Sequence, residues 1–258
     1  MRLTRLPLHS GLLLIFILCA GLAAAQTPAP GPAPATPPPP PRLDVSGQFS
    51  FLDTQGNASS QSLGAGGEVN WRPDPWIYSA KAAFAQTKSD DELSARSLTT
   101  LFRATRLLTP RLALFGQYDF LRDLFAGVEQ RHIIQGGVSY LAYDAHRQRL
   151  RLDAGLGYLH ERDVNDSRDT ATIPLGAAYH IDISKTSEFN YEPRFLLSLA
   201  DAGAWKFDQQ VSLTAALNSI LSVKLSHTLR YSARPPVGFK STDTISAVSL
   251  VAKFSRAQ

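Results

Sequence analysis

The sequence has one cysteine and one methionine in 258 residues. The cysteine, Cys19, lies in the first 25 residues, a segment with the marks of a cleaved leader. Without that segment no thiol remains, which excludes disulfides, cysteine metal sites and cysteine nucleophiles. Beyond it there is no uncharged apolar run near the roughly 18–20 residues that a spanning helix needs, so the mature chain is not a helical membrane protein. Concentrated charge is missing as well. Lys and Arg number 26 against 22 Asp and Glu, a net +4 that becomes +2 when Arg2 and Arg5 leave with the leader, and the basic residues are scattered. Nothing there points to nucleic acid. No serine sits in a G-x-S-x-G frame. Asp163, Asp166 and Asp169 are spaced three apart but lack the Gly and terminal Glu of a calcium loop, so they read as a solvated loop or a cation bridge to lipid phosphates. No metal and no cofactor is expected.

The leader, residues 1–25, has a basic start, an apolar stretch at 12–22 and the small exit Ala23-Ala24-Ala25, which predicts secretion with cleavage before Gln26. Leu18, just ahead of Cys19, is too large for a good lipoprotein cleavage site. Residues 26–42 are nearly all Pro, Ala, Gly and Thr. They predict an extended polyproline II tether in the periplasm, because each ring fixes φ and removes a donor.

From residue 43 onward a different pattern begins, runs of ten to fourteen residues in which apolar and polar side chains alternate, each ended by a turn. Leu213, Ala215 and Leu217 oppose Ser212, Thr214 and Ala216; Leu150, Leu152, Ala154, Leu156 and Tyr158 oppose Arg149, Arg151, Asp153, Gly155 and Gly157. Strand side chains alternate between two faces, so each run has an apolar face and a polar one, at a length that crosses a bilayer. The prediction is an all-β fold: an antiparallel up-and-down transmembrane β-barrel over 43–258, of the bacterial outer-membrane kind. Strands are expected near 43–53, 60–71, 76–88, 93–107, 111–121, 131–143, 149–162, 170–182, 186–200, 204–217, 221–233 and 241–254, twelve in all. Such barrels have short periplasmic turns and longer outer loops. Every second connection is accordingly tight, and long outer loops are expected at 122–130, 163–169 and 234–240. A soluble β-barrel or sandwich would show the same alternation, but with shorter strands and with the mixed charges outside.

Trp71, Trp76 and Phe254 would anchor the periplasmic lipid boundary, and Tyr118, Phe120 and Trp205 the outer one. Parity from each apolar face puts Glu68, Lys81, Arg103, Asp119, Arg151, Asp153, Glu188, Glu192, Arg194, Lys206, Asp208, Lys224 and Arg230 in the lumen. Charges of both signs in a narrow barrel make either a thin wet passage of mixed selectivity or an ion-paired core that holds the wall in shape. Pro174 and Pro193 each remove a ladder donor, and bulges are expected there. At the outer mouth Arg122, Asp123 and Arg131 flank one loop, and Arg131 is expected to pair with Asp119 or Asp123. Of the mature histidines, His227 takes the lipid-facing parity between Leu225 and Leu229; Ser226 beside it points the other way and cannot join it in a dyad.

The stretch 115–131, with Tyr118 and Asp119 leading into Arg122-Asp123, Phe125, Gly127 and Arg131, resembles the central element of a domain-of-unknown-function family of salt-induced outer-membrane β-barrel proteins. Asp153-Ala154-Gly155-Leu156-Gly157-Tyr158 is similar to that family's following strand, and 240–254 to its last. Leu121 departs from the pattern, as do the four residues after Phe254. The resemblance implies a Gram-negative outer-membrane barrel with no established activity. The expected function is therefore non-enzymatic, either envelope integrity or passage of a small, unidentified solute, with an expected link to salt or osmotic stress. The alternative is a lipid-modifying barrel enzyme. Expected partners are outer-membrane lipid and lipopolysaccharide, together with the barrel-assembly machinery.

Overall fold

The computed structural model describes residues 42–54, 60–89 and 92–256. The leader, and the tether apart from Arg42, lie outside the described residues. Twelve strands follow in order: β1 (Leu43–Thr54), β2 (Ser60–Trp71), β3 (Trp76–Ser89), β4 (Glu92–Leu107), β5 (Leu112–Asp123), β6 (Val128–Ala145), β7 (Gln148–Asp163), β8 (Ser167–Asp182), β9 (Ser187–Ser198), β10 (Lys206–Ala216), β11 (Leu221–Ser232) and β12 (Thr242–Arg256). Each pairs antiparallel with the next, and β1 pairs with β12, so the sheet closes into a barrel with no free edge.

The burial pattern is inverted relative to a soluble protein. Ile134 is 63 % exposed while its neighbour Gln135 is 5 % exposed. The exposed apolar set includes Phe49, Phe102, Leu156, Leu213 and Val248, all on the outward parity, whereas the lumen parity holds buried Gln117, Ser139, Thr172 and Thr214. Apolar exterior, polar interior and strands hydrogen-bonded around a closed ring are the conditions for crossing hydrocarbon with strands. At the end that carries both termini, Trp71, Tyr78 and Trp76 stack with centroids 5.4 and 5.8 Å apart.

Two expectations are corrected. The connections at 124–127 and 164–166 are short, because β5 to β8 run on past their predicted ends. Asp123 makes the first turn tight: its carboxylate accepts from the Ala126 N–H at 3.2 Å, and Gly127 takes a left-handed φ of 74°. Asp163 closes the second, accepting from the N–H groups of Asn165 at 2.9 Å and Asp166 at 2.7 Å. Only the connection at 233–241 is as long as expected of that set. The prolines, for their part, leave gaps in the ladder without moving the register: Ala154 pairs with Leu175 and Gly157 with Thr172 on either side of Pro174, and Gly176 pairs with Arg194 and Tyr179 with Tyr191 around Pro193. The register shifts fall at Thr87/Lys88, Leu121/Asp123, Val128/Gln130 and Leu141/Tyr143.

Candidate functional site: the charged lumen

Every charged residue assigned to the lumen by parity faces it, and barrel closure decides which of them meet. Asp123 on β5 and Arg230 on β11 are six strands apart in the ring of twelve, yet Arg230 Nη1 lies 3.2 Å from Asp123 Oδ2. This pair crosses the full width of the barrel. Below it Arg194 on β9 reaches Asp119 on β5 at 3.0 Å and its register neighbour Asp208 at 2.9 Å. Gln117 donates to both oxygens of Asp119, at 3.1 and 2.9 Å. Arg103 on β4 reaches Asp153 on β7 at 3.1 Å, donates to Gln117 Oε1 at 2.9 Å and stacks 3.9 Å over the Phe115 ring. Asp153 also accepts from Ser139 and sits 3.4 Å from Arg151.

Arg131 does not pair with Asp119 or Asp123. It is bound to Glu161, which also takes the Lys206 ammonium at 3.0 Å. The reason is register: Arg131 and Glu161 are direct partners across β6 and β7, so no reach across the lumen is needed. Arg122 does not face the lumen at all, because its parity is that of the lipid-facing Tyr118 and Phe120. Toward the terminal end Glu188 binds Lys253 at 2.8 Å, while Glu192 has no ion pair among the described residues.

Sequence reading passed over Lys253 and, above all, the Glu161 carboxylate. Its signal was present, since 153, 155, 157, 159 and 161 share one parity, but nothing in the sequence says that two cations converge on it. Buried Ile133, Leu159 and Leu196 also face inward and pack together, so the interior is partly apolar. The far end is capped by the 233–241 connection. Asn165 Nδ2 donates to the Val237 carbonyl at 3.5 Å, Arg168 Nη1 to the Arg234 carbonyl at 3.3 Å, and the Phe239 ring lies against Gly127. Pro235 and Pro236 thereby roof a cavity of about 30 Å³ whose floor includes Arg131, Lys206, Asp208 and Arg230, room for about one or two waters.

Two further groups bear on chemistry. His180, Asp182 and Glu188 place one ligand atom each within 4.8 Å of one another. His180 is already hydrogen-bonded to Asn190 at 2.8 Å and Glu188 to Lys253, so that group is satisfied by its own neighbours. On the outward wall His227 Nδ1 lies 2.8 Å from Ser246 Oγ, its register partner on β12. Sequence reading could not supply that serine, because it comes from another strand. Among the described residues no carboxylate orients the imidazole, and the pair sits within a continuous ladder whose N–H groups are committed to the sheet. A base and a nucleophile are there, without an orienting acid or an oxyanion hole.

Residues 47–254 match a family model described as a protein of unknown function, DUF481. The uncharacterized protein YdiY of Escherichia coli (strain K12) is 24 % identical over 189 residues, covering 72 % of this chain and 73 % of its own length. Among solved structures, an outer membrane channel from Pseudomonas putida F1 aligns over 88 % of this chain and 100 % of its own, at 8 % identity and a TM-score of 0.49. The NanC porin aligns over 84 % of this chain and 100 % of its own, at 12 % identity and a TM-score of 0.44.

Proposed function

We propose that this chain, which belongs to the DUF481 family of proteins of unknown function, is a non-enzymatic barrel of the Gram-negative outer membrane whose lumen is closed at rest. It would serve envelope integrity and admit small solutes or ions only when its internal ion pairs part. The observation that carries this reading is the Asp123–Arg230 pair across the whole lumen, and the cap at 233–241 supports it. Arg194 between two carboxylates and Lys206 on Glu161 add further bars across the same half.

Ionic strength is the natural trigger for such a closure. The screening length falls from about 10 Å to about 3 Å between about 0.1 M and about 1 M salt, so pairs reached by water weaken as salt rises. In planar bilayers the wild type is expected to be nearly silent at low salt, with conductance rising more steeply with KCl than the bulk solution. Replacing both partners, Asp123→Ala with Arg230→Ala, removes one bar without stranding a lone charge and is expected to raise conductance above that of the wild type at each salt concentration, with the bars at Arg194 and Lys206 still in place. A wide steady conductance in the wild type, or a folded double variant that conducts no more than the wild type at any salt concentration, would overturn the reading.

The His227–Ser246 pair favours a second reading, a lipid-modifying barrel. Release of fatty acid from phospholipid micelles by the wild type, abolished by Ser246→Ala, would establish it in place of the first.

A further inference from the structure

The outward face is not uniform at the far rim. Over β9 to β11 it is a band of aromatic rings, with Phe195 and Phe207 4.5 Å apart and Trp205 and Tyr231 4.8 Å apart. Over β5 to β8 the corresponding row is Phe120, His132, His160 and Asp169, each the register partner of the next. Hydrogen bonds join its polar members in two groups, Tyr118 Oη with His132 Nδ1 at 2.8 Å, and His160 Nδ1 with Asp169 Oδ1 at 2.7 Å, where Tyr158 Oη donates to the same carboxylate oxygen at 2.9 Å. Polar groups on a lipid-facing wall cost free energy unless something there answers them.

Toward the rim the same parity continues with Arg122 on β5 and Arg162 on β7, two strands or about 10 Å apart. Arg122 is exposed and has no ion-pair partner among the described residues. Arg162 meets only Glu129, at 3.0 Å, with its side chain 63 % exposed. On the other side of the row, toward the terminal end, lies an open apolar groove of about 580 Å³ between Tyr78, Phe102, Tyr118 and Ile134, floored by Ala104 and Gly116. A Cβ added at Gly116 would meet nothing within 4 Å. Tyr118 belongs to both features, lining the groove with its ring and holding His132 with its hydroxyl.

We propose that this sector of the wall is a specific site for one phosphorylated glycolipid of the outer leaflet. The Arg122 and Arg162 guanidinium groups take the phosphate, since their planar forks match its oxygens. His132, His160 and Asp169 lie where the sugar hydroxyls would sit, offering both donors and acceptors, and an acyl chain occupies the groove over Gly116. A plain phospholipid has no hydroxyl-rich ring to match the histidine row. The site is separate from the lumen and independent of whether the lumen conducts.

The test is native mass spectrometry of the detergent-solubilised barrel titrated with purified lipid A, with its phosphatase-treated form, and with phosphatidylglycerol. The wild type is expected to retain one lipid A per barrel and to bind the other two at least about tenfold more weakly. Arg122→Gln with Arg162→Gln should lower lipid A retention about tenfold. Gly116→Leu, whose Cβ meets nothing within 4 Å and whose side chain extends into the groove, should lower it as well, with the unheated gel mobility of the folded barrel unchanged in both. Equal binding of the dephosphorylated lipid, equal binding of phosphatidylglycerol, or full retention by either folded variant would overturn the proposal.

Discussion

Glu161→Gln isolates the energetics of the closed lumen, because the change is nearly isosteric and alters one charge. The Glu161 side chain is 3 % exposed, accepts from Arg131 Nε, and lies 3.0 Å from the Lys206 ammonium. At an effective dielectric of about 20, a unit charge pair at that separation attracts by about 5–6 kcal/mol, and the substitution forfeits this for Lys206 while also removing the partner of Arg131. The amide no longer has to be stripped of a carboxylate's hydration, which returns part of that sum, but two cations are left facing one another. Loss of one partner from a buried ion pair costs about 3–5 kcal/mol, and that is the expected destabilisation. Reversible urea unfolding from lipid vesicles, followed by the fluorescence of Trp71, Trp76 and Trp205, would measure it. Adding Lys206→Met should recover at least about 1 kcal/mol, because one of the stranded cations is gone. A loss below about 1 kcal/mol for Glu161→Gln, the size of a screened surface pair, would refute the reasoning and show that water reaches Glu161 freely.

Leu156, at the centre of β7 and 67 % exposed on the outward face, should tolerate Phe but lose about 2–4 kcal/mol on replacement by Arg at mid-bilayer, read in the same unfolding assay. Gly137 and Gly155 are register partners whose added Cβ atoms would come within 2.1 Å of the Ala154 carbonyl and 2.2 Å of the Gly136 carbonyl. Gly155→Ala should therefore cost about 1–3 kcal/mol through forced separation of β6 and β7, and an unchanged urea midpoint would contradict the close approach. The purified barrel should require detergent and migrate faster unheated than boiled, because a closed ladder resists the surfactant; solubility without detergent would contradict the membrane reading.

The sequence by itself determined the number of strands, their positions to within a few residues and the face on which each side chain lies. Those properties are local: the period of two is set by the backbone and can be read from Ser212 to Leu217 without knowing any neighbour. It also placed many of the charges that share the lumen, since Asp119, Arg151, Asp153, Glu188, Glu192 and Arg194 all follow from parity, but it passed over Glu161 and Lys253. Only the tertiary structure decided the partners. Closure of β1 on β12 brings β5 opposite β11 and sets Asp123 against Arg230, residues 107 apart in the chain. Register gave Arg131 to Glu161 and Ser246 to His227, and displaced the shifts from the prolines to the ends of β3, β5 and β6. Parity is a property of one strand, whereas a pair depends on the alignment of two, and on the shear of the whole ring when they are not adjacent.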